Sequence, residues 1–110
     1  MLVMNKEENM NIPKFADVLF SECKNILDNR QTYNSNQFTG ETTLQLVARM
    51  WSEYLEKPIT EADVCMMMVF LKLNREMLKS NKDNIIDAIN YLALYEREVR
   101  SQNEHDTGRD

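Results

Sequence analysis

Only two glycines and two prolines interrupt 110 residues. Chain reversals that need a left-handed or proline-fixed backbone are therefore scarce, and the chain is committed to long helices joined by short connections. The apolar residues follow a helical period. Phe15, Val18, Leu19, Cys23, Ile26 and Leu27 recur three and four apart, which predicts a first helix over about 14–29. Leu44, Val47, Met50, Trp51, Tyr54 and Leu55 form the stripe of a second, over roughly 41–56. Lys57-Pro58 ends it, because a residue before proline avoids helical angles.

"TEAD" at 60–63 reads as a capping box, with Thr60 as N-cap and Asp63 in place of the usual Glu. A third helix follows, from 61 to about 78. "SNKD" at 80–83 reads as a second box of that kind, and a fourth helix runs from about 82 to 100. Between Val64 and Leu71 the third helix is apolar on every side, which predicts a central, buried element. Its three consecutive methionines read as adaptable core filling, with a promiscuous binding surface as the alternative. The fold expected is all-α: a compact bundle of four main helices over 13–100, an N-terminal arm over 1–12, and a disordered polar tail over 101–110.

Composition narrows the function classes. A net charge of −5 argues against general nucleic-acid binding, which needs a basic face to release counterions. The longest apolar run is far below the roughly 20 residues that span a bilayer. "MLVMNKEENM" is too short and too acidic for a signal peptide. Cys23 and Cys65 form no CxxC pair, and both read as reduced, buried thiols of a cytoplasmic protein. His105 is the sole histidine and sits in the polar tail, which removes Cys/His zinc sites and histidine-based nucleophilic catalysis.

Four charges flank the last short connector: Lys72 and Arg75 before it, Asp83 and Asp87 after it. A connector of about three residues makes the third and fourth helices antiparallel neighbours. At ~1.5 Å per residue, Arg75 and the two aspartates then lie at similar heights, with Lys72 about a turn deeper. On the fourth helix, Ile85, Ile89 and Leu92 define the expected core stripe. Asp83, Asp87 and Asn90 point the opposite way, sharing that face with Leu94 and bordered by Tyr91. Three readings stand side by side: solvated charges, a structural ion-pair network, or a ligand site. In the last, the cations face phosphate or the carboxylates hold a divalent ion.

The order of landmarks "NRQTY", "ARMWSEYL", "ITEADVCMMMVFLKLNR" and "DNIIDAINYLAL" resembles a family of small helical proteins of unknown function common in phages and prophages. The resemblance covers about residues 26–95. It places Arg30, Tyr33, Trp51, Tyr54, Asp63, Lys72, Arg75, Asp83, Asp87 and Tyr91 at matching positions. Tyr33-Asn34 stands where that family has Tyr-Gly, and Asn90-Tyr91 where it has Gly-Tyr. That family is distantly similar to domains linked to phage nucleotide modification and to MazG-like helical nucleotide pyrophosphohydrolases, which hold magnesium on paired acidic motifs. Here Glu53 and Glu56 form an E-x-x-E, but the second motif is D-x-x-x-D and lies one helix too late. Two carboxylates at a helix edge also read simply as solvated charge.

Three functions follow as expectations. The first is a non-catalytic binder of a nucleotide or other phosphorylated ligand that sequesters a host defence signal. It uses Arg30, Tyr33, Lys72 and Arg75, with Asp83 and Asp87 orienting the cations and no cofactor. Arg30 and Tyr33 have a structural reading too, as a helix-end cation and a loop staple. The second is a protein-binding inhibitor or accessory factor of phage–host conflict. The third is a magnesium-dependent hydrolase on Glu53, Glu56, Asp83 and Asp87. Trp51 and Tyr54 read as core or bundle seam, or as a dimer patch. One wholly apolar helix in so small a bundle also predicts a homo-oligomer in the bacterial host cytoplasm.

Overall fold

The computed structural model describes residues 11–29 and 40–107, and these form an all-α bundle of four helices. They are α1 (Ile12–Asn29), α2 (Thr43–Leu55), α3 (Glu61–Leu78) and α4 (Lys82–Thr107). The first three match their expected bounds to within about two residues. The fourth continues seven residues past its expected end. No proline or glycine stands between 82 and 107, and extending a nucleated helix costs far less than starting one.

Each helix start has a local cause. The Lys14 N–H donates to Asn11 Oδ1 at 3.0 Å ahead of α1. At α3 the expected box is made in full. The Asp63 N–H donates to Thr60 Oγ1 at 3.0 Å, and the Thr60 N–H donates to Asp63 Oδ2 at 3.0 Å. A second full box opens α2, between Thr42 and Gln45. The expected box at Ser80 is not formed. Its hydroxyl is drawn back to Glu76 Oε2 at 2.7 Å, and Asn81 caps α4 by accepting the Asp83 N–H at 2.9 Å. The α2–α3 junction is tied by Ser52, whose Oγ accepts the Ile59 N–H at 2.8 Å and donates to the Ala48 carbonyl at 2.7 Å. Glu56 turns the chain there in the left-handed region at φ 54°, a conformation that disfavours any side-chain-bearing residue.

The helices stack in the order α2, α3, α4, α1, with α3 against α4 the most extensive contact. The core consists mostly of small side chains. Ala62, Val64, Cys65 and Val69 come from α3, Ile86 and Ala88 from α4, Cys23 from α1 and Ala48 from α2. Both cysteines are buried and free, as expected. Burial pushes the Cys65 thiol up to about 11, so it is an inert packing group at neutral pH. No helix among the described residues is long and apolar enough to cross a membrane.

Two expectations about burial are corrected. On α4 the deepest positions are Asn84, Ile86, Ala88 and Asn90, whereas Ile85 and Ile89 are half-buried and Leu92 is exposed. The helix is covered from two sides, by α3 and by α1, so the best-buried residues do not follow a single stripe. Asn90 is the polar link of that arrangement: its Nδ2 donates to the Cys23 carbonyl of α1 at 3.2 Å. The other correction concerns α3, which is not buried all round. Met67, Phe70, Leu71, Leu73, Met77 and Leu78 are exposed, because α3 has neighbours in α2 and α4 and its remaining side stays open.

Asn90→Ala removes that buried donor and leaves a small cavity. The expected loss is about 1–3 kcal/mol of unfolding free energy, read from urea denaturation by circular dichroism. A loss within the ~0.5 kcal/mol typical of surface changes contradicts the α1–α4 tie.

Candidate functional site

The structure brings two of the four flagged charges together. Lys72 Nζ of α3 lies 3.1 Å from Asp87 Oδ2 of α4, and the two side chains keep only 14% and 15% of their surface exposed. The pair sits in the seam because Lys72 continues the Cys65 side of α3, the side turned toward the core. Removing one partner strands a poorly solvated charge, so the two are worth far more together than either alone. Arg75 and Asp83, nearer the connector, are exposed. No ion pair joins either of them among the described residues. Arg30 and Tyr33 lie outside the described residues.

The connector has an organiser that the sequence reading missed. Glu76 receives the Ser80 hydroxyl at 2.7 Å, the Asn81 N–H at 2.9 Å and the Asn84 amide at 3.3 Å. The Asn81 N–H, and then Ser80, hold its carboxyl below the ordinary range. Asn84 also donates to the Lys79 carbonyl at 3.3 Å, closing the end of α3 onto the start of α4. A Glu four residues before Ser80 is a readable signal in hindsight, since i and i+4 are neighbours on a helix.

The carboxylates proposed for magnesium do not gather. Glu53 pairs with Arg49 at 3.6 Å in the last turns of α2. Glu56 is the left-handed cap of that helix. Asp87 is engaged with Lys72, and Asp83 is out on the first turn of α4. Among the described residues, no group of three or more His, Cys, Asp or Glu stands close enough to hold a metal ion. A different carboxyl pair, not singled out in the sequence, spans the other end of the seam. Glu61 at the start of α3 lies near Glu98 of α4, and Arg97 pairs with Glu98 at 3.0 Å. Partial burial, followed by the neighbouring Glu98 carboxyl, pushes the Glu61 carboxyl above its ordinary value. Trp51 is half-buried in α2, while Tyr54 is exposed, so the latter is not core.

The seam pair yields a double-mutant cycle. Lys72→Met and Asp87→Leu each lose about 1–3 kcal/mol, less than for a fully dry pair, and the double variant recovers most of it. Simple additivity in denaturant titrations contradicts a coupled pair. Glu61 yields a pH dependence. Its raised folded value means that its favourable contribution is complete below the unfolded carboxyl range and is lost as pH rises through the folded value. Glu61→Gln keeps a neutral hydrogen-bonding group, so it flattens the decline in melting temperature above about pH 4.5. An unchanged pH profile in thermal melts contradicts a Glu61 carboxyl raised by burial and the nearby Glu98.

Comparison with known proteins places the chain without assigning it an activity. No curated protein and no solved structure matches it. One family model, described as a domain of unknown function (DUF6378), matches residues 19–99, which run from the middle of α1 to the later turns of α4. The chain therefore belongs to the DUF6378 family.

Proposed function

We propose that this protein is a non-catalytic binding protein that acts through protein–protein contact, as an accessory or inhibitory factor in phage–host conflict. The observation that supports it is the open side of α3, where Phe70, Met77 and Leu78 stand among the most exposed large apolar side chains. A small water-soluble domain rarely leaves so continuous an apolar strip bare unless something covers it. The acidic balance of −5 favours a partner with a basic or neutral rim around an apolar anchor site. The phage context and a bacterial cytoplasmic setting rest on the motif resemblance, and self-association belongs to the same reading.

A second reading keeps one observation of its own. Arg75 is an exposed guanidinium one turn from the Lys72–Asp87 pair, and such a group recognises phosphate. On this reading Arg75, together with Arg30 and Tyr33, meets a nucleotide or other phosphorylated ligand. Lys72 supports it less than expected, since a phosphate must compete with Asp87 for that ammonium.

Two experiments separate the readings. Tagged wild-type chain and a Phe70→Asp, Met77→Lys double variant are used as baits in bacterial lysate. The first reading expects a protein retained by the wild type and reduced at least tenfold by the variant, with helical content unchanged. Equal capture by both baits contradicts it. A thermal-shift screen against nucleotides, with and without Mg²⁺, decides the second: a stabilisation abolished by Arg75→Ala moves the function to the phosphorylated ligand.

A further inference from the structure

The geometry points to an oxidative modification site on the open side of α3. The thioethers of Met67 and Met77 each take an oxygen atom from hydrogen peroxide, and the two sulfoxides take the apolar face out of use without loosening the fold. This inference rests on the protein-contact reading and gives that same surface a regulation.

The three consecutive methionines divide between core and surface. At about 100° per residue, Met66 and Met68 turn away from Met67 on either side. Both are half-buried, whereas Met67 is 42% exposed. Met77, in the last turn of the helix, is 86% exposed. Phe70, also exposed, falls between Met67 and Met77 on one face. The two thioethers thus belong to the water-facing strip, beside its largest apolar side chain.

The thiols are protected where these thioethers are not. Cys23 and Cys65 are both buried. Burial raises both thiols, Cys65 to about 11, and the thiolate is the form that oxidants attack. A thioether has no proton to lose, so access alone selects among the methionines. In the step itself, one peroxide oxygen bonds to a sulfur lone pair and the O–O bond breaks. That oxygen passes its proton to the departing one, and water leaves. Sulfur is oxidised and peroxide is reduced. A flexible apolar side chain becomes a polar, chiral one, and a sulfoxide reductase reverses the change. Polar groups at 67 and 77 bracket Phe70 and break the continuity of the strip. Neither position lies in the core, so the fold does not depend on the thioethers.

Peroxide treatment of the full chain tests the inference, alongside a Met67→Leu, Met77→Leu variant that keeps every other methionine. Met50, exposed on α2, is thereby oxidised in both. The readouts are peptide mass mapping, fluorescence of the apolar-surface probe anilinonaphthalene sulfonate (ANS), urea denaturation and capture from bacterial lysate. In the wild type, Met77 and then Met67 gain oxygen ahead of Met66 and Met68, and both cysteines stay unmodified. Probe fluorescence falls by about half or more, lysate capture falls by at least about tenfold, and the urea midpoint is unchanged. The leucine variant keeps its probe binding and its capture after the same treatment, and methionine sulfoxide reductase restores both in the wild type. Oxygen at Met66 or Met68 before Met77 overturns the inference, as does a cysteine oxidised first or a lowered urea midpoint. So does an untreated chain that binds no probe, or a probe loss that persists in the leucine variant. A captured partner that survives oxidation removes the modification site and leaves the protein-contact reading standing. A chain that captures nothing before treatment removes that reading, and the reversible loss of probe binding then carries the inference.

Discussion

The antiparallel seam between α3 and α4 is the constraint on which the rest of the molecule depends. The short Lys79–Asn81 connector forces the two helices side by side, and Glu76 gathers donors from the connector itself and from the first turn of α4. Small residues then let the helices approach: Ala62 and Cys65 on one side, Ala88 on the other. The Lys72–Asp87 pair is sheltered as a consequence of that approach. The outer helices are attached to the seam from opposite sides, α2 onto α3 and α1 onto α4. Asn90 is where the seam reaches outward, since its amide holds the α1 backbone at Cys23.

This layered order explains why the molecule has an apolar exterior. In a closed four-helix bundle each helix has two packed neighbours and the layers close around one core. Here α2 has 13 residues and lies mainly on α3. The outer face of α3 is left open over its C-terminal half, with Met77 and Leu78 the most exposed part. The same openness that deprives the monomer of burial supplies a surface for contact. Lys72, the most sheltered of the flagged cations among the described residues, is already committed to Asp87.

Much of the fold was legible because its signals are local. Helical periodicity placed three helices closely, and the Thr60–Asp63 box is formed as its spacing implies. The adjacency of the last two helices followed from connector length, but the height count set Arg75 level with the aspartates and Lys72 a turn deeper, whereas it is Lys72 that meets Asp87. What was illegible depends on distant geometry. Asn90 is polar, so periodicity assigned it outward, but a second helix covers that side and supplies a carbonyl acceptor. The apolar run at 64–71 implied a buried helix, yet burial requires neighbours, and the number of neighbours is not written in the run itself. Ser80 resembled a cap until Glu76 claimed its hydroxyl. Glu61 and Glu98 come near each other although they lie far apart in the chain, with no spacing rule to announce it.

Native-state hydrogen exchange measures most directly whether the α3–α4 seam is the foundation of the fold. The account predicts that the slowest amides lie at 65–73 and 86–94, exchanging only through global unfolding, while those of α1 and α2 open at lower free energy. Slowest exchange in α1 or α2, with α3 or α4 opening first, would contradict it.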